Sequence, residues 1–219
     1  MCFSPAGDLV GGLVVTAIGV DACLHLRGRA EYRLVATLPV LFGLHQIDET
    51  FVWWRLQGHV PAGVGTFAMW VYLLFALVVL PVLVPTTVMA LVAPRRRWSL
   101  APFLALGVVA SSILLETMLR GHPSVRLGSY HLAYSIGLQH GMVVIGLYIV
   151  ATCGSLLASG IRNVVWFGVV NLVAVVVLAR LAADGFTSLW CFYAALTSAA
   201  IALHLRMATS ERRARLVSP

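Results

Sequence analysis

Residues 41–54 read LFGLHQIDETFVWW, and this stretch decides how the rest of the chain is interpreted. Apolar residues continue on both sides, so residues 34–55 predict a helix long enough to cross about 30 Å of hydrocarbon. His45, Asp48 and Glu49 interrupt the middle of this helix. Ionisable side chains inside a membrane are costly and normally face the bundle interior, where they find partners. The stretch therefore predicts a membrane helix with one polar face turned inward.

Composition extends the membrane assignment to the whole chain. Of 219 residues, 60% are hydrophobic and only 11% are charged, whereas soluble domains carry about 25% charged residues. Apolar runs long enough to span a bilayer occur seven times. We predict an all-α, polytopic membrane protein with seven transmembrane helices near residues 9–27, 34–55, 67–93, 99–119, 133–158, 163–182 and 187–206.

The arginines predict the orientation of these helices. With the N-terminus outside, eleven arginines fall in cytoplasmic segments and four in outer segments, which the positive-inside rule favours. Trp53 and Trp54 then lie at the outer interface as aromatic anchors. We expect the C-terminus in the cytoplasm, a single transmembrane domain over residues 1–206 in the plasma (inner) membrane, and a basic cytoplasmic tail over residues 207–219.

The basic residues exclude cofactors held by a lysine Schiff base and argue against a nucleic-acid partner. All 15 are arginine, and no lysine is present to form a Schiff base with retinal or pyridoxal phosphate. The net charge of +7 comes from short segments between predicted helices, so we interpret it as topology signals and contacts with the lipid bilayer, not as a nucleic-acid surface. Asp8 and the lack of basic residues near the start argue against a cleaved signal peptide.

Polar side chains from three predicted helices are expected in one layer of the outer half. Counting about 1.5 Å per residue, His45 and Glu49 on the second helix lie at a depth similar to that of Glu116 on the fourth and His140 on the fifth. His45 and Glu49 are one turn apart and share a helix face. An imidazole and a carboxylate so placed suit a divalent metal, with zinc or iron the natural candidates. The predicted metal ligands are His45, Glu49, His131 and His140.

Three functions use this cluster in different ways. In the first, the metal serves a hydrolase of a lipid or another amphipathic substrate, and Asp48 or Glu116 acts as the catalytic base on metal-bound water. In the second, the cluster is protonated instead, in a proton- or ion-coupled transporter, channel or sensor. In the third, it only locks the helices of a non-catalytic membrane subunit that binds a partner. The sequence leaves the choice, the substrate and the oligomeric state open.

The four cysteines show no metal-ligand spacing. Cys23 and Cys153 lie within apolar runs and are interpreted as inert small hydrophobic residues. Cys2 and Cys191 are both predicted on the outer side, where oxidising conditions permit a disulfide between them. Two free thiols are the alternative.

Several stretches recur together, in the same order, in one family: MCFS at the start, LFGLHQIDETFVW, PVLVP, LYIVATCGSLLASG, WFGVVN and SLWCFYAAL. On these stretches the chain resembles an uncharacterised family of small bacterial multi-pass membrane proteins that begin with Met-Cys-Phe-Ser. The resemblance covers nearly the whole chain and implies a fold and topology, but no activity.

The resemblance also ranks the two acids of the second helix. The family pattern there matches His45, Gln46, Glu49 and Trp53, whereas Asp48 looks like a local addition, and Thr50 stands where a glycine is usual. The resemblance therefore favours Glu49 over Asp48 as the working acid. The match at Cys2 and Cys191 also favours the disulfide.

Overall fold

Six helices and one β-hairpin make up most of the computed structural model, which describes residues 4–25, 33–128, 131–138, 141–181, 193–200 and 203. The helices are α1 (Pro5–His25), α2 (Arg33–Leu56), α3 (Ala62–Leu91), α4 (Pro94–Arg120), α5 (Gly141–Ala158) and α6 (Arg162–Leu181). Residues 193–200 are also helical and fall within the last predicted span. The predicted helical class is therefore confirmed.

Four helices, α1, α3, α4 and α5, are long and apolar enough to cross a membrane. Helix α2 has 24 residues, a sufficient length at about 1.5 Å per residue. Its His45, Asp48 and Glu49 lie in the middle of the helix, whereas the charged residues of α4 lie near its two ends. Helix α2 therefore carries the candidate site.

One predicted helix boundary is wrong. Residues 133–158 were expected to form one continuous helix, but strands β1 (Ser124–Leu127) and β2 (Leu132–Ser135) form an antiparallel hairpin, and α5 begins only at Gly141. Val125 and Leu132 of this hairpin are buried in the hydrophobic core, together with residues of α2, α3 and α4. A short apolar run can form either a helix or a buried strand, and its periodicity does not separate the two.

Glycines let α1 and α2 pack closely together. A Cβ atom added to Gly12 would lie 2.7 Å from the carbonyl oxygen of Gly43, and one added to Gly43 would overlap Thr16. Small residues at such seams permit close backbone approach between membrane helices. The seam brings the first turn of α1 to the second half of α2 and places Asp8 beside Trp53.

Helices α3 and α5 each contain a π-helical segment, Leu74–Val79 and Val150–Gly154. The first segment ends just before Pro81, whose nitrogen carries no hydrogen to donate to the preceding turn. In π-helical register that hydrogen would have bonded to the carbonyl oxygen of Ala76. The hydroxyl of Tyr148 in α5 donates to this oxygen instead, at 2.8 Å. The proline therefore helps to join α3 to α5.

Candidate functional site

His45, Glu49 and Trp53 form one face of α2 that is buried in the bundle. Their spacing of four residues stacks them along the helix, and their exposed fractions are 4%, 0% and 6%. This burial confirms the inward polar face predicted from the sequence. Trp53, which the sequence predicts as an interfacial anchor, is buried in a core cluster with residues of α3, α4 and the hairpin.

Asp8 of α1 is the partner of Trp53. The indole Nε1 donates a hydrogen bond to Oδ2 of Asp8 at 2.8 Å, and Asp8 is fully buried. Asp8 also lies in the first turn of α1, where the positive end of the helix dipole favours a negative charge. The indole N–H is therefore a hydrogen-bond donor to a carboxyl group that water does not reach.

Tyr134 of the hairpin contacts Glu49, the buried acid of α2. Its hydroxyl donates a hydrogen bond to Oε1 of Glu49 at 3.4 Å, and Glu49 is fully buried. The strand pairing of Tyr134 with Val125 fixes this position, since Val125 is itself packed in the core. The hairpin therefore meets α2 both through this hydroxyl–carboxyl contact and through its buried core residues.

Aromatic rings stack around His45. Its imidazole lies 4.0 Å from the ring of Tyr72, at an interplanar angle of 14°, and Tyr72 stacks in turn on Tyr134 at 4.6 Å. On the other side Phe75 lies 4.7 Å from His45 and contacts Phe42 edge to face. We call these five rings the aromatic column. It fixes the orientation of the imidazole by packing.

The imidazole of His45 keeps one nitrogen available. Its Nε2 is buried and has no hydrogen-bond partner among the residues that the structure describes. Buried polar atoms are nearly always hydrogen-bonded to protein or water. Nε2 is therefore an atom of this site to which a water molecule or another ligand could bind.

The remaining predicted site residues are spread over the molecule. Glu116 has a 58% exposed side chain and forms a 2.8 Å ion pair with Arg120 on the surface of α4. Asp48 is half-buried on α2, beside the inward face. His131 is half-buried at the turn of the hairpin, where its carbonyl oxygen accepts the N–H of Gly128. His140 lies outside the described residues. The predicted roles of these residues stay predictions.

The described ranges contain no group of three or more His, Cys, Asp or Glu side chains that could hold a metal ion together. Helix α2 contributes His45 and Glu49, but Glu116 lies on the surface of α4. A metal site built on this pair would therefore depend on His140 or on another residue outside the described ranges. What the described geometry offers by itself is a buried carboxyl, a buried imidazole and a tyrosine hydroxyl.

Comparison with known families places residues 1–217 in a family of unknown function, DUF6629. The chain belongs to this family. No curated protein and no solved structure matches it. Membership agrees with the resemblance to an uncharacterised family and supplies no activity, so the function has to be argued from the site.

In the described structure, the cluster consists of His45, Glu49 and Trp53 together with Asp8, Tyr72 and Tyr134. The sequence alone did not identify the last three. Asp8 carried a weak signal, because it is an acid near the start of an apolar helix. The two tyrosines carried none, because their contacts depend on how α3 and the hairpin pack against α2. Of the cysteines, Cys23 and Cys153 are free thiols. Cys2 and Cys191 lie outside the described residues, and their disulfide stays a prediction.

Proposed function

We propose that the chain is a seven-helix protein of the cell membrane, with its N-terminus outside and its C-terminus in the cytoplasm, whose buried cluster handles protons. Four helices of spanning length and hydropathy support the membrane location. The unequal distribution of the 15 arginines supports the orientation. Helix α2, helix α6 and the span predicted over residues 187–206 complete the seven.

The burial of Glu49 beside a tyrosine hydroxyl is the main observation that supports a proton-handling role. Ionisable groups within membrane helices are expensive, and they mark ion pathways, proton relays and ligand sites. Asp8 and His45 are buried close to the same face of α2. Apolar residues would pack these helices without that cost, so a purely structural role is the weaker explanation for three such groups.

A proton on Glu49 would change how the hairpin is held. An ionised carboxylate only accepts hydrogen bonds, and it accepts the O–H of Tyr134; a protonated carboxyl also donates one. Gain or loss of the proton therefore alters the bond between the hairpin and α2. Tyr134 also stacks on Tyr72, so a shift of the hairpin would reach His45 through the aromatic column. This coupling suits a proton-coupled transporter or a proton sensor.

The transport form of the proposal is tested in proteoliposomes loaded with a pH-sensitive dye. A pH gradient should dissipate faster with the wild-type protein than in empty vesicles, and Glu49→Gln should abolish the difference. Glu116→Gln is the matched control, because it makes the same change on the exposed surface and should behave like the wild type. Equal fluxes for the wild type and Glu49→Gln would contradict a transport role of this cluster.

A divalent metal site is the second candidate, favoured by the buried Nε2 of His45, which has no partner among the described residues. Neutral imidazole nitrogen is a common metal ligand. In this form zinc or iron would serve a hydrolase of a lipid or amphipathic substrate, and Asp48, half-buried beside the inward face, would be the base that acts on metal-bound water. The ligands would be His45, Glu49, His131 and His140.

Metal content separates the two candidates. Elemental analysis of the purified protein should show near-stoichiometric zinc or iron if the second candidate holds. The double variant His45→Ala/Glu49→Ala should then lose the metal, and His59→Ala in the exposed loop after α2 should retain it. Metal at background level in the wild-type protein would eliminate the hydrolase.

A further inference from the structure

A cavity of about 740 Å³ lies among α2, α3, α5, α6 and residues 193–200. Its walls are mostly aliphatic and aromatic, and include Val84 and Val88 of α3, Leu156 of α5 and Phe167 of α6. Ligand sites commonly occupy about 300–1,000 Å³ and are lined mainly by apolar side chains. The cavity therefore has the size and lining of a site for an apolar group.

Most polar side chains in the body of the cavity already donate to backbone carbonyl oxygens. Thr152 donates to the carbonyl oxygen of Tyr148, Asn171 to that of Phe167 and Ser198 to that of Ala195. The donated hydrogens are thus already used. An occupant of the cavity body needs no hydrogen-bonding groups there, which fits a hydrocarbon chain and not a polar metabolite.

One end of the cavity is cationic. Leu91, Ile161 and Asn163 line the cavity where α3 ends and α6 begins. The guanidinium of Arg96 packs against Gly160, where a Cβ atom would overlap it. Gly160 precedes the lining residue Ile161, and Arg162 lies between Ile161 and Asn163. Two arginines therefore lie next to lining residues at this end of the cavity, which we call its mouth.

The positive charge at this end is not neutralised within the described part of the chain. Arg95, Arg96, Arg97 and Arg162 are all exposed. The ion pairs among the described residues are His25 with Asp21 and Arg120 with Glu116, and neither involves these four. Basic clusters beside gaps between membrane helices are typical binding sites for anionic lipid headgroups.

We propose that this cavity binds an anionic phospholipid of the surrounding bilayer, with an acyl chain among α3, α5 and α6 and the phosphate at Arg96 and Arg162. The apolar body and the cationic mouth match the two parts of such a molecule. Trp166, which also lines the cavity, is 61% exposed, so the site adjoins the outer surface of α6, from which a lipid can enter. This inference is independent of Glu49.

Native mass spectrometry of the full chain in mild detergent tests the proposal, with phosphatidylglycerol and phosphatidylcholine as probes. The wild-type protein should bind phosphatidylglycerol more tightly than phosphatidylcholine. The double variant Arg96→Gln/Arg162→Gln should weaken phosphatidylglycerol binding by about tenfold to thirtyfold, since each arginine near an anionic headgroup contributes roughly fivefold. Arg120→Gln, an exposed arginine at the other end of α4, should leave it unchanged.

Two further measurements test whether the lipid lies in the cavity. Val164→Trp should fill the cavity and reduce binding of both lipids, with the unfolding temperature checked against the wild type. Inorganic phosphate should not displace phosphatidylglycerol, because the chain as well as the headgroup is held. Equal binding of the two lipids, full binding by Arg96→Gln/Arg162→Gln, or displacement by phosphate would overturn the proposal. If Val164→Trp does not fold, the arginine variants still decide it, since their side chains are exposed.

Discussion

The indole N–H of Trp53 donates a hydrogen bond to a carboxyl group inside the bundle. Its acceptor is Asp8, at 2.8 Å, and both residues are buried. Removing one partner of a buried hydrogen bond is costly, because the group left behind cannot bond to water instead. Trp53 is thus a structural member of the cluster, and its contribution can be measured without any assay of function.

Trp53→Phe should lower the free energy of unfolding in detergent by about 1–3 kcal/mol, because it removes one hydrogen bond from a buried carboxyl group and keeps most of the ring. Trp98→Phe makes the same change at a side chain that is 83% exposed and should have an effect within about 0.5 kcal/mol. Equal losses in the two variants would show that the Trp53–Asp8 bond contributes little.

Individual residues of the site were predictable to different degrees. The inward position of His45 and Glu49 followed from their spacing within an apolar run, which is a local property of one helix. The partners Asp8 and Tyr134 were not predictable, since they lie 45 and 85 residues away from the residues they contact. Such contacts depend on how whole elements pack.

At the scale of elements, the glycine seam between α1 and α2 determines whether Asp8 reaches Trp53. Gly12 and Gly43 meet across the seam, and a Cβ atom at either one would collide with the opposite helix. The seam is therefore a requirement for the polar cluster, even though neither glycine belongs to it.

Gly12→Val should destabilise the protein by about 1–3 kcal/mol, because the added side chain has to push the two helices apart. The neighbouring Gly11→Val is a close control, as a Cβ atom at Gly11 has nothing within 4 Å. Unfolding curves of both variants in the same detergent give the comparison. A similar loss at Gly11 would mean that valine is unfavourable in α1 for reasons other than the seam.

The sequence predicted the long helices well because their apolar runs are far longer than a strand. The hairpin was missed for the opposite reason: Leu132–Ser135 is only four residues long and merges with the apolar start of the predicted fifth span. The error has a functional consequence, since the hairpin supplies Tyr134 to Glu49.

At the scale of the whole molecule, counting residues along each helix predicted the depth of a side chain but not the direction in which it faces. Glu116 was expected in the same layer as Glu49, yet its side chain lies on the surface of α4, paired with Arg120. Helical rise fixes the height of a residue, whereas the rotation of the helix about its axis depends on packing with its neighbours. For this reason Glu116 lies apart from the buried Glu49 in the described structure.

The proposed orientation predicts which loops face the cytoplasm. In a variant without native cysteines, Gln57→Cys in the loop between α2 and α3 should react with a membrane-impermeant maleimide on intact cells. Arg97→Cys, at the start of α4, should react only after permeabilisation. Both side chains are exposed, so a difference in labelling reports sidedness. The reverse pattern would place the N-terminus in the cytoplasm.

The central claim is that Glu49 gains and loses a proton inside the bundle. Infrared difference spectroscopy of the membrane-reconstituted protein between two pH values tests it most directly. We expect a carboxyl C=O band in the wild type that is absent in Glu49→Gln and retained in Glu116→Gln. Identical difference spectra for the wild type and Glu49→Gln across the accessible pH range would show that Glu49 does not exchange its proton, and would contradict the proposed function.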